Sequence, residues 1–174
     1  MENIRITSGI YRGRIIESPR SKLVHPMGAR EKLALFNMIQ NFLPGAAVLD
    51  AFSGSGALGI EALSRGAKEV VFVEKNPKIS QVIKRNLEKM GLEAKIVTTD
   101  AKKFTTDKEF GVIIADPPYD SFEIDGVLSL TKYLKDGGIL VLSHPGSAPV
   151  IPDLKLTDTR KYAQANISIY RFLA

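Results

Sequence analysis

Cysteine is absent from the 174 residues and histidine occurs only twice. Disulfides, iron–sulfur clusters and thiolate zinc sites are therefore excluded. His25 and His144 have no partner at ligand spacing, so no metal centre is expected. No apolar run approaches the ~18 residues of a membrane span. The polar opening Met1-Glu2-Asn3-Ile4-Arg5 does not read as a secretory signal, and a cytoplasmic address is the expectation. Internal repeats and low-complexity linkers are also missing. With 44% hydrophobic and 25% charged residues, the chain fits one domain, 1–174, with a core of its own. The net charge of +5 says little alone, but the first 22 residues hold Arg5, Arg12, Arg14, Arg20 and Lys22 against two acids. That distribution points to a polyanionic partner such as nucleic acid.

Short β-compatible runs at 4–8 and 13–17 flank Gly9-Ile10-Tyr11-Arg12 and predict a hairpin ended by Pro19. Residues 29–42 have helical spacing, with Leu33, Phe36 and Ile39 toward the core, joined by Leu35 and Phe42. Strands are expected at 46–50, 69–73, 94–98, 111–115 and 139–143. Helices are expected at 57–65, 77–90 and 122–134, with Pro77 opening the second and Gly91 capping it. Two more strands, 155–161 and 166–172, form a hairpin at the sheet edge. Alternating strands and helices give an α/β fold with an open, mostly parallel sheet.

The stretch Asp50-Ala-Phe-Ser-Gly-Ser-Gly-Ala-Leu-Gly59 follows an apolar strand and opens a helix, as a nucleotide-binding loop does. Gly54-Ser55-Gly56-Ala57-Leu58-Gly59 also satisfies the dinucleotide fingerprint, with Glu74 about 20 residues on. Four residues, however, separate the strand from the first glycine, and the first of them is a carboxylate. A carboxylate there repels a pyrophosphate and suits a cationic group.

Acids recur at the ends of four strands: Asp50, Glu74, Asp100 and Asp116. In an open parallel sheet these ends form the ligand crevice, where unpaired carboxylates raise each other's pKa. A ligand that carries positive charge and many donors relieves the repulsion, and adenosylmethionine has both. By position, Asp50 and the loop meet its methionyl end, and Glu74 accepts the ribose hydroxyls. Asp100 takes the adenine amine, with Ala101 against the ring. Asp116-Pro117-Pro118-Tyr119 then closes a nearly all-apolar strand. An exocyclic amine is a poor nucleophile until its lone pair is freed and aimed. Asp116 can accept one of its N–H groups and the Pro117 carbonyl the other, on a backbone that two prolines stiffen. Tyr119 offers a face on which an extruded base can stack, worth ~1–3 kcal/mol.

These elements resemble the RsmD family, the bacterial 16S ribosomal RNA guanine-N2 methyltransferases. The resemblance runs through Arg5-Ile-Thr-Ser-Gly9 and Arg12-Gly-Arg14, through Asp50 to Gly66, through Phe72-Val-Glu-Lys-Asn76, and through Asp116-Pro-Pro-Tyr119. It implies a Rossmann-like class I methyltransferase with a seven-stranded sheet (25–174) and a basic amino-terminal hairpin extension (1–24) that helps hold RNA. It further implies adenosylmethionine at Asp50, Phe52, Ser53, Gly54, Ser55, Gly56, Glu74, Lys75, Asp100 and Ala101. Asp116, Pro117, Pro118 and Tyr119 become the catalytic element, on 16S RNA or the assembling small subunit; a monomer is favoured, although the sequence does not fix the oligomeric state. Arg5, Tyr11, Arg12, Arg14, Arg20, Lys22 and Arg30 are the expected RNA contacts, with Arg160, Lys161 and Arg171 behind them. The chain departs from the family pattern Arg-Pro-Thr-x-Asp-Arg-x-(Arg/Lys)-Glu by placing His25, Met27, Ala29 and Leu33 where Arg, Thr, Asp and Glu are usual.

Asp-Pro-Pro-Tyr accepts any exocyclic amine, so adenine-N6 methylation is the nearest alternative. Glutamine methylation goes with Asn rather than Asp at 116. A nicotinamide-dependent oxidoreductase would share the loop but needs a hydride-relay set that is missing. A non-catalytic RNA-binding module has no use for Asp-Pro-Pro-Tyr.

Overall fold

A computed structural model describes residues 1–20, 26–163 and 165–174. Strand β1 (Glu2–Arg5) pairs antiparallel with β2 (Ile15–Ser18), the hairpin expected from the sequence. Helix α1 (Ala29–Ile39) leads into β3 (Ala47–Ala51), α2 (Ala57–Ser64), β4 (Glu69–Glu74), α3 (Pro77–Met90) and β5 (Lys95–Thr98). Then come β6 (Phe110–Ala115), α4 (Ile124–Leu128), β7 (Leu134–His144), β8 (Leu154–Lys161) and β9 (Asn166–Phe172). The seven-stranded sheet has the order β5-β4-β3-β6-β7-β9-β8, parallel as far as β7 and antiparallel through β9 and β8. The order reverses between β3 and β6, the switch point where such sheets bind ligands.

Side chains alternate across a strand, so each buried strand feeds two cores. Val48, Phe72, Val112, Ile114 and Val141 pack on one face with α1, α2, α3 and the hairpin. Leu49, Val71, Ile113, Ala115, Leu140 and Leu142 face the other core, with Phe104, Val127, Leu130 and Tyr170. Continuing the alternation places Asp116, one step past β6, and Ser143, near the end of β7, on the first face with Asp50.

Two expectations fail locally. The 122–134 helix shrinks to α4, flanked by single turns at Tyr119–Ser121 and Thr131–Tyr133. Ser129 Oγ donates to the Gly126 carbonyl at 2.8 Å and Thr131 Oγ1 to the Leu128 carbonyl at 3.0 Å, so hydroxyls compete for the helix's acceptors. On α1 the buried stripe is Lys32, Leu35, Phe36 and Ile39, whereas Leu33 points to solvent. The stripe begins one residue early because Lys32 is tolerated inside: its Nζ lies 3.3 Å from Glu61 Oε2 and donates to the Arg5 carbonyl at 2.8 Å.

That ion pair anchors the hairpin. Glu61 on α2 also accepts from Thr7 Oγ1 (2.6 Å), the Ser8 N–H (3.0 Å) and Arg65 Nε (3.1 Å). Burial alone would raise the Glu61 carboxyl, but Thr7, Lys32 and Arg65 together hold it below the usual carboxylate range. Gly9 presses so close that a Cβ would sit 1.8 Å from the Ser64 carbonyl oxygen. Asn86 on α3 joins the hairpin to the glycine loop: its amide donates to the Glu17 and Ser55 carbonyls and accepts the Glu17 N–H. No helix among the described residues is long and apolar enough to cross a membrane.

Candidate active site

Over the carboxyl ends of β3, β4 and β6 lies one cavity of about 780 Å³. Its walls include Phe52, Ser53, Gly54 and Ser55 from the loop, Glu74 and Lys75, Asp100 and Ala101, and Asp116 through Tyr119. The second strand-tip acid is well prepared for a donor-rich ligand. Glu74 Oε2 accepts the Gly54 N–H and Oε1 the Asn76 N–H, each at 2.9 Å. Both oxygens keep a lone pair free, so the carboxylate is fixed in direction and still able to accept two hydroxyls. Phe52 takes a left-handed φ of 58°, rare for a bulky side chain, and its ring lies against Gly126 at the cavity wall.

Two expected cofactor residues do not reach the cavity. Asp50 is 1% exposed and turns beneath the loop, where Oδ2 accepts the Gly59 N–H at 2.8 Å. Helix α2 comes this close because position 59 lacks a side chain; a Cβ there would lie 2.3 Å from the Phe72 ring. Burial pushes the Asp50 carboxyl well up, the Gly59 N–H holds it back, and the charges of Asp116 and Glu74 add to the rise. The mutual repulsion expected of the strand-tip acids is therefore present, but desolvation outweighs it. Gly56 likewise lies under the loop as the left-handed cap of α2.

Asp116 faces the cavity. Burial raises it to about 6, against the pull of the Ser143 and Tyr119 hydroxyls. Tyr119 Oη donates to Asp116 Oδ1 at 3.4 Å and touches Ser143 Oγ, and its own pKa rises to about 12, mainly through burial. Pro117 is buried and Pro118 exposed at the rim. Sequence reasoning missed Ser143, since a lone serine at a strand end carries no signal until the sheet order places it beside Asp116. It also passed over Ala163 and Ala165 from the β8–β9 turn. These line the same mouth as Met27, just ahead of α1, and Glu31 in its first turn, both from the segment whose departure from the family pattern stands out in the sequence. Among the described residues no cluster of three His, Asp or Glu side chains could hold a metal ion.

The basic residues divide between two ends of the molecule. Arg14 donates to the Lys89 and Met90 carbonyls, capping the carboxyl end of α3, and lies over the Tyr11 ring. Both side chains thus serve the fold. The crevice lies at the other end of α3, a 14-residue helix ~20 Å long. Arg12 is exposed at the hairpin tip, and Arg5 donates to the Gly13 carbonyl. Arg20 and Arg30 are exposed, and Lys22 lies outside the described residues. Arg160 and Lys161 are exposed just before the turn that lines the mouth, so these later-ranked candidates stand nearer the cavity than the hairpin tip does.

A switch-point loop, a glutamate fixed by two backbone N–H groups and a proline-stiffened acid at the adjacent strand tip, on this sheet order, are those of a Rossmann-like class I methyltransferase, a class that draws its methyl group from adenosylmethionine. Among solved structures, yhhF of Escherichia coli, described as a presumed methyltransferase, superposes with a TM-score of 0.90 at 27% identity over 99% of both chains. A Thermus thermophilus protein does so with 0.78 at 30% identity, over 98% of this chain and 99% of that one. The family model Conserved hypothetical protein 95 matches residues 4–171, and the chain belongs to that family, the RsmD family. Ribosomal RNA small subunit methyltransferase D of Haemophilus influenzae is 30% identical over 85% of this chain and 82% of its own length. Its Escherichia coli namesake is 34% identical over 79% and 69%.

Proposed function

We propose that this protein methylates the exocyclic N2 amine of a guanine in small-subunit ribosomal RNA, using adenosylmethionine. The observation that carries the reading is that Asp116-Pro117-Pro118-Tyr119 and Glu74 open into one cavity. The relatives named for small-subunit ribosomal RNA support the substrate. When bound, adenosylmethionine supplies an electrophilic methyl on a sulfonium. Glu74 would hold the ribose hydroxyls, the Gly54–Ser55 backbone the methionyl end, and Asp100 with Ala101 the adenine.

Asp116 Oδ1 accepts from Tyr119 at 3.4 Å and the Ser143 hydroxyl also pulls on the carboxylate, which leaves its remaining lone pairs for one N–H of the target amine. The Pro117 carbonyl takes the other. Both acceptors are in place before reaction, so little reorganisation is needed as charge develops on nitrogen. Asp116 would take up the proton that the amine sheds on methylation, and its pKa of about 6 would let it pass that proton on to water. Arg30, Arg160 and Lys161 would hold phosphates beside the mouth, and Arg12 a phosphate ~20 Å away along the α3 axis. A substrate that satisfies both ends is a folded RNA or an assembling particle rather than a short strand.

Small-subunit RNA from cells with and without the protein, digested and analysed by mass spectrometry, tests the reading. A single guanine that loses its N2-methyl group is expected. A methyl lost from adenine N6, or no change in any nucleoside, contradicts it.

A further inference from the structure

Ser143 is 1% exposed near the end of β7, where it pairs with Ile167 of β9. The parallel register places Ala115 beside Leu142, and one step on sets Asp116 beside Ser143 on the same face of the sheet. There the Ser143 hydroxyl meets the Tyr119 hydroxyl, which in turn donates to Asp116 Oδ1. His144, the next residue, points to the opposite face and bonds Ser168 at 2.8 Å, so the pair of polar residues serves two separate sites.

We infer that Ser143 is a positioning residue of the amine acceptor: the chain Ser143–Tyr119–Asp116 holds Oδ1 and so turns Oδ2 toward the substrate amine. The inference rests on Asp116 being that acceptor. Ser143 touches no substrate atom; it acts through its two neighbours. A single hydrogen bond leaves a carboxylate free to rotate about its Cβ–Cγ bond, and a hydroxyl fixed from behind by a second hydroxyl restricts that rotation. The same contact fixes the Tyr119 ring, so the surface offered to the base and the acceptor aimed at its amine are set together. The hydroxyls also favour the ionised carboxylate that must accept the N–H.

The test is the pH dependence of kcat/KM for methyl transfer to small-subunit RNA, in the wild type, Ser143→Ala, Tyr119→Phe, the double variant and Asp116→Asn. Adenosylhomocysteine affinity by calorimetry serves as the check on folding. Ser143→Ala is expected to lower kcat by ten- to a hundredfold and to move the acid limb upward by about half a pH unit or more, cofactor affinity unchanged. Tyr119→Phe should reproduce the shift, and the double variant should lose little more than either alone, because one chain has been cut twice. An unmoved acid limb in Ser143→Ala, or fully additive losses, would overturn the inference while an inactive Asp116→Asn left the catalytic reading intact. An active Asp116→Asn would overturn both.

Discussion

Asp50 and Asp116 end adjacent strands, point to the same face of the sheet and are both raised by burial. Their partners differ. Asp50 is closed against the Gly59 N–H and serves the loop; Asp116 is held from one side by hydroxyls and open on the other. Glu61 and Glu74 repeat the contrast, the first surrounded by Thr7, Lys32 and Arg65, the second tied by two backbone N–H groups with lone pairs to spare. The position of an acid in the sequence therefore does not announce its role. What decides it is how many of its acceptor sites the fold has already filled.

The largest effect should come from an inward-facing acid. Glu61→Ala leaves Lys32 buried without a counter-charge and should cost ~3–5 kcal/mol of stability by urea denaturation. Asp50→Asn, which keeps an oxygen for Gly59, should change stability by ~1 kcal/mol or less, and a larger loss would show that the charge itself is needed.

The crevice acids should behave the other way. Glu74→Ala is expected to weaken adenosylhomocysteine binding by roughly ten- to a hundredfold in calorimetry, since hydrogen bonds to a charged group contribute ~1.5–3 kcal/mol. Unchanged affinity would remove Glu74 from the cofactor site.

Asp116 predicts opposite responses of stability and activity to pH. Its carboxyl ionises at about 6 in the folded protein, above its usual 3.8, so folding is favoured where the group is protonated. Its contribution to stability falls as pH rises from about 4 to about 6 and is constant above. Activity should rise over the acid limb centred near pH 6. Replacing the group by Asn should flatten its part of the stability profile and gain ~1–2 kcal/mol at pH 7.

The smallest effects belong to the surface. Lys161→Ala should weaken RNA binding by less than about 1 kcal/mol and reduce the salt slope by about one phosphate contact. Arg14→Ala should lower the melting temperature and leave that slope unchanged, because its guanidinium caps α3. If Arg14→Ala alone moved the slope, the hairpin tip would be the main RNA contact.

Apolar runs, Pro77 and Gly91 made the sheet and α3 legible from the sequence, as did the loop and Asp-Pro-Pro-Tyr. Lys32 in a core position and the truncated α4 were not, because each depends on interactions that periodicity does not show: Glu61 for one, carbonyls captured by Ser129 and Thr131 for the other. Strand periodicity gave the positions of the acids but not their accessibility, so Asp50 read as a ligand and Ser143 as nothing. The basic hairpin showed its charge in the sequence, whereas its distance from the crevice needed the length and direction of α3.

The most direct measurement is radiolabelled methyl transfer by Asp116→Asn beside calorimetric titration with adenosylhomocysteine. Cofactor affinity within about twofold of wild type and transfer reduced by about 10²–10³ is the predicted result, the loss of one acceptor aimed at developing charge. Transfer retained at the wild-type rate would contradict the account.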